Sequence, residues 1–400
     1  MPKPLKNWYR SLTIEDWQAG GFGLYLHWPF CQAKCPYCDF NSHVAPSIDQ
    51  KRWQRAYLSE IERIGLETKD RVLDTVFFGG GTPSLMQPDL VSAILDTVRA
   101  TWRTSNSFEV TLEANPTSVE AGRFRGYRSA GVNRVSMGIQ ALNDADLKGL
   151  GRLHSISEAR SAFDLARETF DRVSFDLIYA RQNQTVEGWR AELSEALLMA
   201  ADHLSLYQLT IEDGTAFGDR FARGRLPGLP IEDSAADMYF ATQDLCEAKG
   251  LPGYEISNHA RPGAESRHNL IYWNYGDYIG IGPGAHGRLT LDGMRWATDT
   301  IKQPGSWLQQ VEKFGSGEVE RDKLSLDDQT MEFLMMGLRL RDGICINRLA
   351  GFNAPQELYN KINYLTNIEM LESFGGRLRA TATGRPVLNA VLAELYSAFS

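Results

Sequence analysis

Between residues 22 and 212 the chain alternates, six times over, a short apolar β-rich run with a connecting stretch, most of them helical in pattern. The runs are GLYLHWPF (23–30), DTVFFGG (74–80), FEVTLEAN (108–115), NRVSMGIQ (133–140), RVSFDLIYA (172–180) and DHLSLYQLTIE (202–212). Helical periodicity occupies 48–70, 88–102, 155–170 and 185–200. Near-continuous apolar strands are covered on both faces, and helical crossovers join parallel neighbours, so the pattern predicts parallel βα units. Six in a row predict an α/β fold built on a partial (β/α)6 TIM-like barrel. Chemistry in such sheets gathers at the carboxyl ends of the strands, which makes the residues just after each run the ones to read.

The alternation stops near residue 220, where LPGLP (226–230) predicts a connector. With 400 residues, 43% of them hydrophobic, the chain can bury two cores. The predicted division is an N-terminal extension (1–21), the barrel (22–225), a connector with a Tyr-, Gly- and Trp-rich stretch (226–320) and a C-terminal domain (321–400). That last part is mixed but mostly helical, and GGRLRATATGRPVLNAVLAEL reads as a hairpin and a final helix, giving a winged-helix-like module. A net charge of −8 speaks against a general polyanion-binding surface, so no nucleic-acid partner is expected. The chain has no long apolar run and its start lacks a secretory h-region, which predicts a cytoplasmic location.

Three of five cysteines fall within residues 31–38, while Cys246 and Cys345 stand alone and read as small buried hydrophobes. Such clustering suits a metal site better than a disulfide framework. In Cys31-Gln-Ala-Lys-Cys35-Pro-Tyr-Cys38 a tight loop can aim three thiolates at one centre. A cuboidal [4Fe–4S] cluster usually takes four thiolates, so three leave one iron open. Structural zinc, completed by His43 or His27, is the alternative. After the second run, Gly79-Gly80-Gly81-Thr82-Pro83 would let backbone approach a ligand closely. Polar residues follow later runs: Glu113, Gln140 and Asp176, with Arg152 in the loop after the fourth. Charges at buried strand ends are costly unless partnered. Their spread over successive strands suits one ligand bearing a ribose, an ammonium and a carboxylate.

The cysteine loop, GGGTP and the strand-end residues together resemble the radical S-adenosylmethionine (SAM) superfamily. The resemblance implies that Cys31, Cys35 and Cys38 hold a [4Fe–4S] cluster and that SAM chelates its open iron. It also implies a SAM site lined by Tyr25, Gly80, Gly81, Thr82, Glu113, Gln140, Arg152 and Asp176. Arg152 suits the SAM carboxylate, since a guanidinium grips it bidentately, and Tyr37 is placed to pack on the adenine.

CPYCDFNSH and His268-Asn269-Leu-Ile-Tyr272-Trp273 (HNxxYW) narrow this to a resemblance to the HemW heme chaperone family. Its relatives, the oxygen-independent coproporphyrinogen III oxidases, carry a further cysteine where Phe40 stands. The resemblance implies a chaperone that binds heme and delivers it to respiratory hemoproteins, without oxidase activity. Heme would meet His268, Asn269, Tyr272 and Trp273 outside the barrel, His268 being the axial ligand; His286 and His259 are further candidates. The family also suggests a cluster-linked homodimer, and delivery to membrane-bound cytochromes would need peripheral membrane contact. Rival readings are the decarboxylating oxidase, a non-catalytic zinc protein, and a radical SAM enzyme acting on another substrate.

Overall fold

The computed structural model describes residues 15–399. The expected N-terminal extension therefore lies outside the described residues except for 15–21, which include a single 3-10 turn (Asp16–Ala19). Six strands coincide with the six runs: β1 (Phe22–Trp28), β2 (Val72–Gly80), β3 (Arg103–Ala114), β4 (Arg134–Gln140), β5 (Arg172–Tyr179) and β6 (His203–Gln208). Each pairs in parallel with the next. Helices such as Gln50–Thr68, Pro88–Thr101, Ile156–Thr169 and Val186–Met199 return the chain between them. Ile156–Thr169 opens with a capping box from Ser155 and Glu158, which satisfies two otherwise unpaired amides.

The stretch read as a connector extends this same sheet. β7 (Asn258–Ala260) pairs antiparallel with β6, and β8 (Asp277–Ile281) pairs parallel with β1. β9 (His286–Leu291), β10 (Met294–Asp299) and β11 (Asp322–Lys323) continue outward from β8 as antiparallel neighbours. The parallel part of the open barrel thus has one strand more than the sequence pattern predicts. Tyr278-Ile279-Gly280-Ile281 is short and runs into the turn Gly282-Pro283-Gly284, so its strand character comes from pairing with β1.

Side chains alternate strictly across this sheet. Leu24, Leu26, Trp28, Val76, Phe78, Val110 and Leu112 are fully buried in the core that includes the helices. The opposite face turns into the lumen and is polar or aromatic. Register places Tyr25 beside Phe77, Glu113 beside Ser136, and Asp176 beside Ser205. The C-terminal part has its own core around Phe333, Leu334, Leu358, Leu378 and Leu395. It consists of helices and a three-stranded antiparallel sheet whose central strand is Arg377–Ala380. Ion pairs Arg288–Glu332 (2.8 Å) and Arg339–Glu255 (3.0 Å) fasten it to the barrel.

Asp277, at the start of β8, is fully buried between Arg71 Nη1 (2.7 Å) and Arg295 Nη1 (2.8 Å). Removing one partner of a buried charge network leaves the others uncompensated. Asp277→Ala should therefore destabilise the chain by roughly 3–5 kcal/mol. Urea unfolding should show a lower midpoint at unchanged slope.

Candidate functional site

The cysteine loop leaves the carboxyl end of β1. Phe30–Cys31 and His43–Val44 form a two-residue parallel bridge that closes the loop at its base. All three thiols are half-buried. Thr82 Oγ1 donates to Cys31 Sγ (3.3 Å), Arg152 Nη1 donates to Cys35 Sγ (3.4 Å), and Ser42 Oγ lies 4.0 Å from Cys38 Sγ. Burial, with the charge of neighbouring cysteines behind it, pushes the Cys31 and Cys38 thiols up.

Among the described residues, no three His, Cys, Asp or Glu side chains gather closely enough to hold one metal ion. Tetrahedral zinc needs its ligands converging to about 2.3 Å. A cuboidal cluster instead takes each thiolate at a different iron, and three half-buried free thiols on one loop supply that donor set. Neither proposed zinc histidine is well placed. His27 has both nitrogens engaged, with Tyr25 Oη (3.0 Å) and the Asn41 carbonyl (2.9 Å). His43 donates through Nε2 to Asn41 Oδ1 (3.1 Å). Cys246 is fully buried in the helix-side core, its thiol pushed up to about 12 by burial.

A chamber of ≈ 150 Å³ lies against the loop, lined by the three cysteines with Gly80, Gly81, Thr82, Glu113, Gln140, Arg152 and Asp176. Of the residues expected around SAM, Tyr25 is the one that does not face it. The glycines have a different reason from the one the sequence suggests. Gly80 adopts φ +108°, and a Cβ there would meet the His27 ring at 2.7 Å. One on Gly81 would meet the Phe30 carbonyl oxygen at 2.8 Å. Close approach to β1 and the cysteine loop already demands them. Gln140 has φ +77°, at the point where the β4–β5 register slips. A non-glycine residue held there costs about 1–3 kcal/mol, a strain that clusters at functional sites.

Arg152 is more committed than expected. Its Nη2 donates to Asn115 Oδ1 (2.6 Å) and to the Gly138 carbonyl (2.8 Å), and its buried Nε has no partner among the described residues. A bidentate grip on a carboxylate would require one of these bonds to open. The Tyr37 ring packs against Phe217, centroids 6.4 Å apart. Burial and then the charge of Asp176 push Glu113 up to about 8, against a hydrogen bond from the Gly80 amide. Burial raises Asp176 to about 6, opposed by hydrogen bonds from Ser205 and Ser136. Two desolvated carboxylates facing one chamber favour a cationic occupant.

A second cavity of ≈ 800 Å³ fills the lumen and shares Phe40, Ser42, Gly80, Glu113, Ser136 and Asp176 with the first. Tyr25, Phe77, Tyr207, Tyr272, Trp273 and Tyr278 supply its aromatic walls. Exposed Lys34 and Lys302 stand at its rim.

The HNxxYW residues line this cavity, but not as the sequence suggests. They form the helix Arg267–Trp273, capped by Ser266, which packs against β1, β2 and β8. His268 is buried beneath Phe77, ring centroids 5.0 Å apart. Its Nδ1 is bonded to Thr75 Oγ1 (2.6 Å) and its Nε2 to Tyr272 Oη (2.7 Å). Both nitrogens of the residue expected as the axial ligand are thus engaged within the protein, at the lumen rather than outside the barrel. Burial, helped by Arg134, lowers this imidazole to about 3, so it stays neutral. His259 is likewise fully buried.

Sequence reasoning missed several lumen residues: Arg134, Ser136, His203, Ser205 and Tyr207. Their signal is the period-two polarity within β4 and β6 (Arg134, Ser136, Gly138; His203, Ser205, Tyr207), which marks one face of each strand as non-core.

Because Glu113 and Asp176 sit above the usual carboxylate range, a cationic ligand should displace protons from them. SAM affinity should rise from about pH 6 to about pH 8, and calorimetry in two buffers of different ionisation enthalpy should detect proton release near pH 7. Glu113→Gln should weaken binding roughly ten-fold or more. After anaerobic reconstitution, serine at Cys31, Cys35 or Cys38 should each abolish bound iron and cluster absorbance, while Cys246→Ser should keep both.

Residues 25–194 match the family model of the radical SAM superfamily, and residues 324–387 match that of the HemN C-terminal domain. The bovine mitochondrial radical S-adenosyl methionine domain-containing protein 1 is 38% identical, over 94% of this chain and 87% of that protein. Heme chaperone HemW of Escherichia coli is 39% identical, over 79% of this chain and 82% of that protein. Its Haemophilus influenzae counterpart is 35% identical, over 93% and 97%. Among solved structures, coproporphyrinogen III oxidase (HemN) of E. coli superposes with a TM-score of 0.78 at 20% identity, covering 95% of this chain and 92% of that one. The shared barrel, the cysteine loop and relatives this similar over most of their length place the chain in the HemW family of the radical SAM superfamily.

Proposed function

We propose that this chain is a heme chaperone: the large lumen cavity takes heme, and the adjoining chamber holds a [4Fe–4S] cluster and SAM. The observation that carries the reading is the wall the two spaces share. An aromatic-walled cavity of ≈ 800 Å³, within the range of about 300–1,000 Å³ usual for small-molecule sites, shares a wall with the chamber that the three cysteines line. Membership of the radical SAM superfamily implies the cluster and SAM. The name of the E. coli relative, heme chaperone HemW, supports heme as the cargo.

The roles follow from the residues present. Cys31, Cys35 and Cys38 hold the cluster, and Thr82 and Arg152 bond the cysteine sulfurs, which stabilises thiolate charge. Glu113 and Asp176 receive the cationic end of SAM, while Gln140 and Gly80 shape the chamber wall. Bound cluster and SAM supply one-electron chemistry; the barrel supplies position and exclusion of water. Phe40, in the wall of both spaces and 59% exposed, stands where the oxidases of this fold carry a further cysteine. That difference supports a carrier over the decarboxylating oxidase.

Heme then passes to respiratory hemoproteins through the open mouth. No helix among the described residues is long and apolar enough to cross a membrane, so delivery to a membrane-bound recipient would use peripheral contact. A cytoplasmic site of action and a homodimer belong to the same proposal; the bovine relative is named as mitochondrial.

Anaerobic titration with heme, run beside an assay for vinyl groups formed from coproporphyrinogen III, tests this reading. A saturable Soret band without vinyl product is the expected result. Vinyl formation with no heme binding would establish the oxidase instead.

A further inference from the structure

We infer that His286, not His268, offers its imidazole to the iron of heme in the large cavity, with Asp299 holding the ring in place. The inference rests on the heme-binding reading above. Five histidines line the cavity: His27, His43, His203, His268 and His286. His27 and His268 have both nitrogens bonded. His203 bonds Tyr254 Oη through Nε2 (3.0 Å), and its Nδ1 is sealed in the interior. Only His43 and His286 remain, both at the rim.

His286 has the geometry of a metal ligand. It lies directly opposite Asp299 in the β9–β10 ladder, and its Nδ1 is 2.5 Å from Asp299 Oδ1. With the carboxylate against Nδ1, Nε2 is the ring nitrogen left to meet a ligand. Among the described residues nothing bonds Nε2, and the side chain is 59% exposed. A carboxylate behind the distal nitrogen orients the ring, as it does for most metal-bound histidines. His43 has only the neutral Asn41 amide behind it.

The surroundings suit the rest of the macrocycle. Asn41 Nδ2 donates to the Pro283 (2.8 Å) and Lys302 (2.7 Å) carbonyls, so the cysteine loop and the turn before His286 form one continuous rim. Exposed Lys34 and Lys302 on that rim are cations for the two propionates. Tyr25 and Tyr278, on the strands flanking this corner, offer ring faces to the porphyrin.

Heme is titrated anaerobically into the full chain and followed by absorbance, with resonance Raman on the ferrous form. His286→Ala should shift the Soret band and weaken affinity roughly ten-fold or more, and added imidazole should restore the wild-type band. Asp299→Asn should keep the band but lower the iron–histidine stretching frequency. Wild-type spectrum and affinity in His286→Ala would overturn the assignment, as would imidazole-rescued loss in His43→Ala alone. If the unmodified chain binds no heme at all, the heme reading fails and this assignment with it, an outcome distinct from either variant result.

Discussion

Strand β1 carries parallel hydrogen bonds on both flanks, to β2 and to β8, and the cysteine loop leaves from its end. Its pleat divides the work of the molecule. Leu24, Leu26 and Trp28 lock into the helix-side core, while Tyr25 and His27 enter the lumen. Tyr57 donates to the His27 carbonyl (2.6 Å), and Gly81 and Thr82 donate to Trp28 (2.7 Å) and Phe30 (2.8 Å). The base of the cysteine loop is thereby held by backbone bonds on several sides before any metal arrives. Sites built on such fixed elements place ligands more accurately than sites on free loops.

Most small barrels fill their interior with branched aliphatic side chains. Here the inner faces carry Thr75, Glu109, Thr111, Arg134, Ser136, Ser174, Asp176 and Ser205, joined in part by bonds such as Arg134–Ser174 (3.1 Å) and Ser136–Asp176 (3.2 Å). This polar lumen holds two neighbouring spaces with a common wall. Glu113 and Asp176 in their common wall are raised by burial, so a positive charge beside them would favour their ionised forms. At the other end the helix Arg267–Trp273 borders the lumen, where His268 bonds Thr75, Glu109 and Tyr272.

The six βα units, the three-thiol loop and the strand-end polar residues were readable because each has a local signature: period, spacing, position after an apolar run. What was unreadable depends on contacts far along the chain. β8 becomes a strand only by pairing with β1, more than two hundred residues earlier. The glycines of GGGTP face β1 and the cysteine loop, which no local pattern reveals. Arg152 reads as a free guanidinium until Asn115, Gly138 and Cys35 are seen around it. His268 sits in a motif suggesting exposure to ligand, yet Thr75 from β2 takes one of its nitrogens.

Asn41 ties the cysteine loop to two carbonyls on the far side of the rim, in a segment some 240 residues downstream. A single amide thus makes two walls one mechanical unit. Whatever free energy a filled cluster contributes to holding the loop in this arrangement is also felt by the opposite wall, and by reciprocity an occupant of the lumen that favours the same rim steadies the loop. An occupant of the lumen and a ligand on the cysteine loop would then be thermodynamically linked through Asn41 without touching.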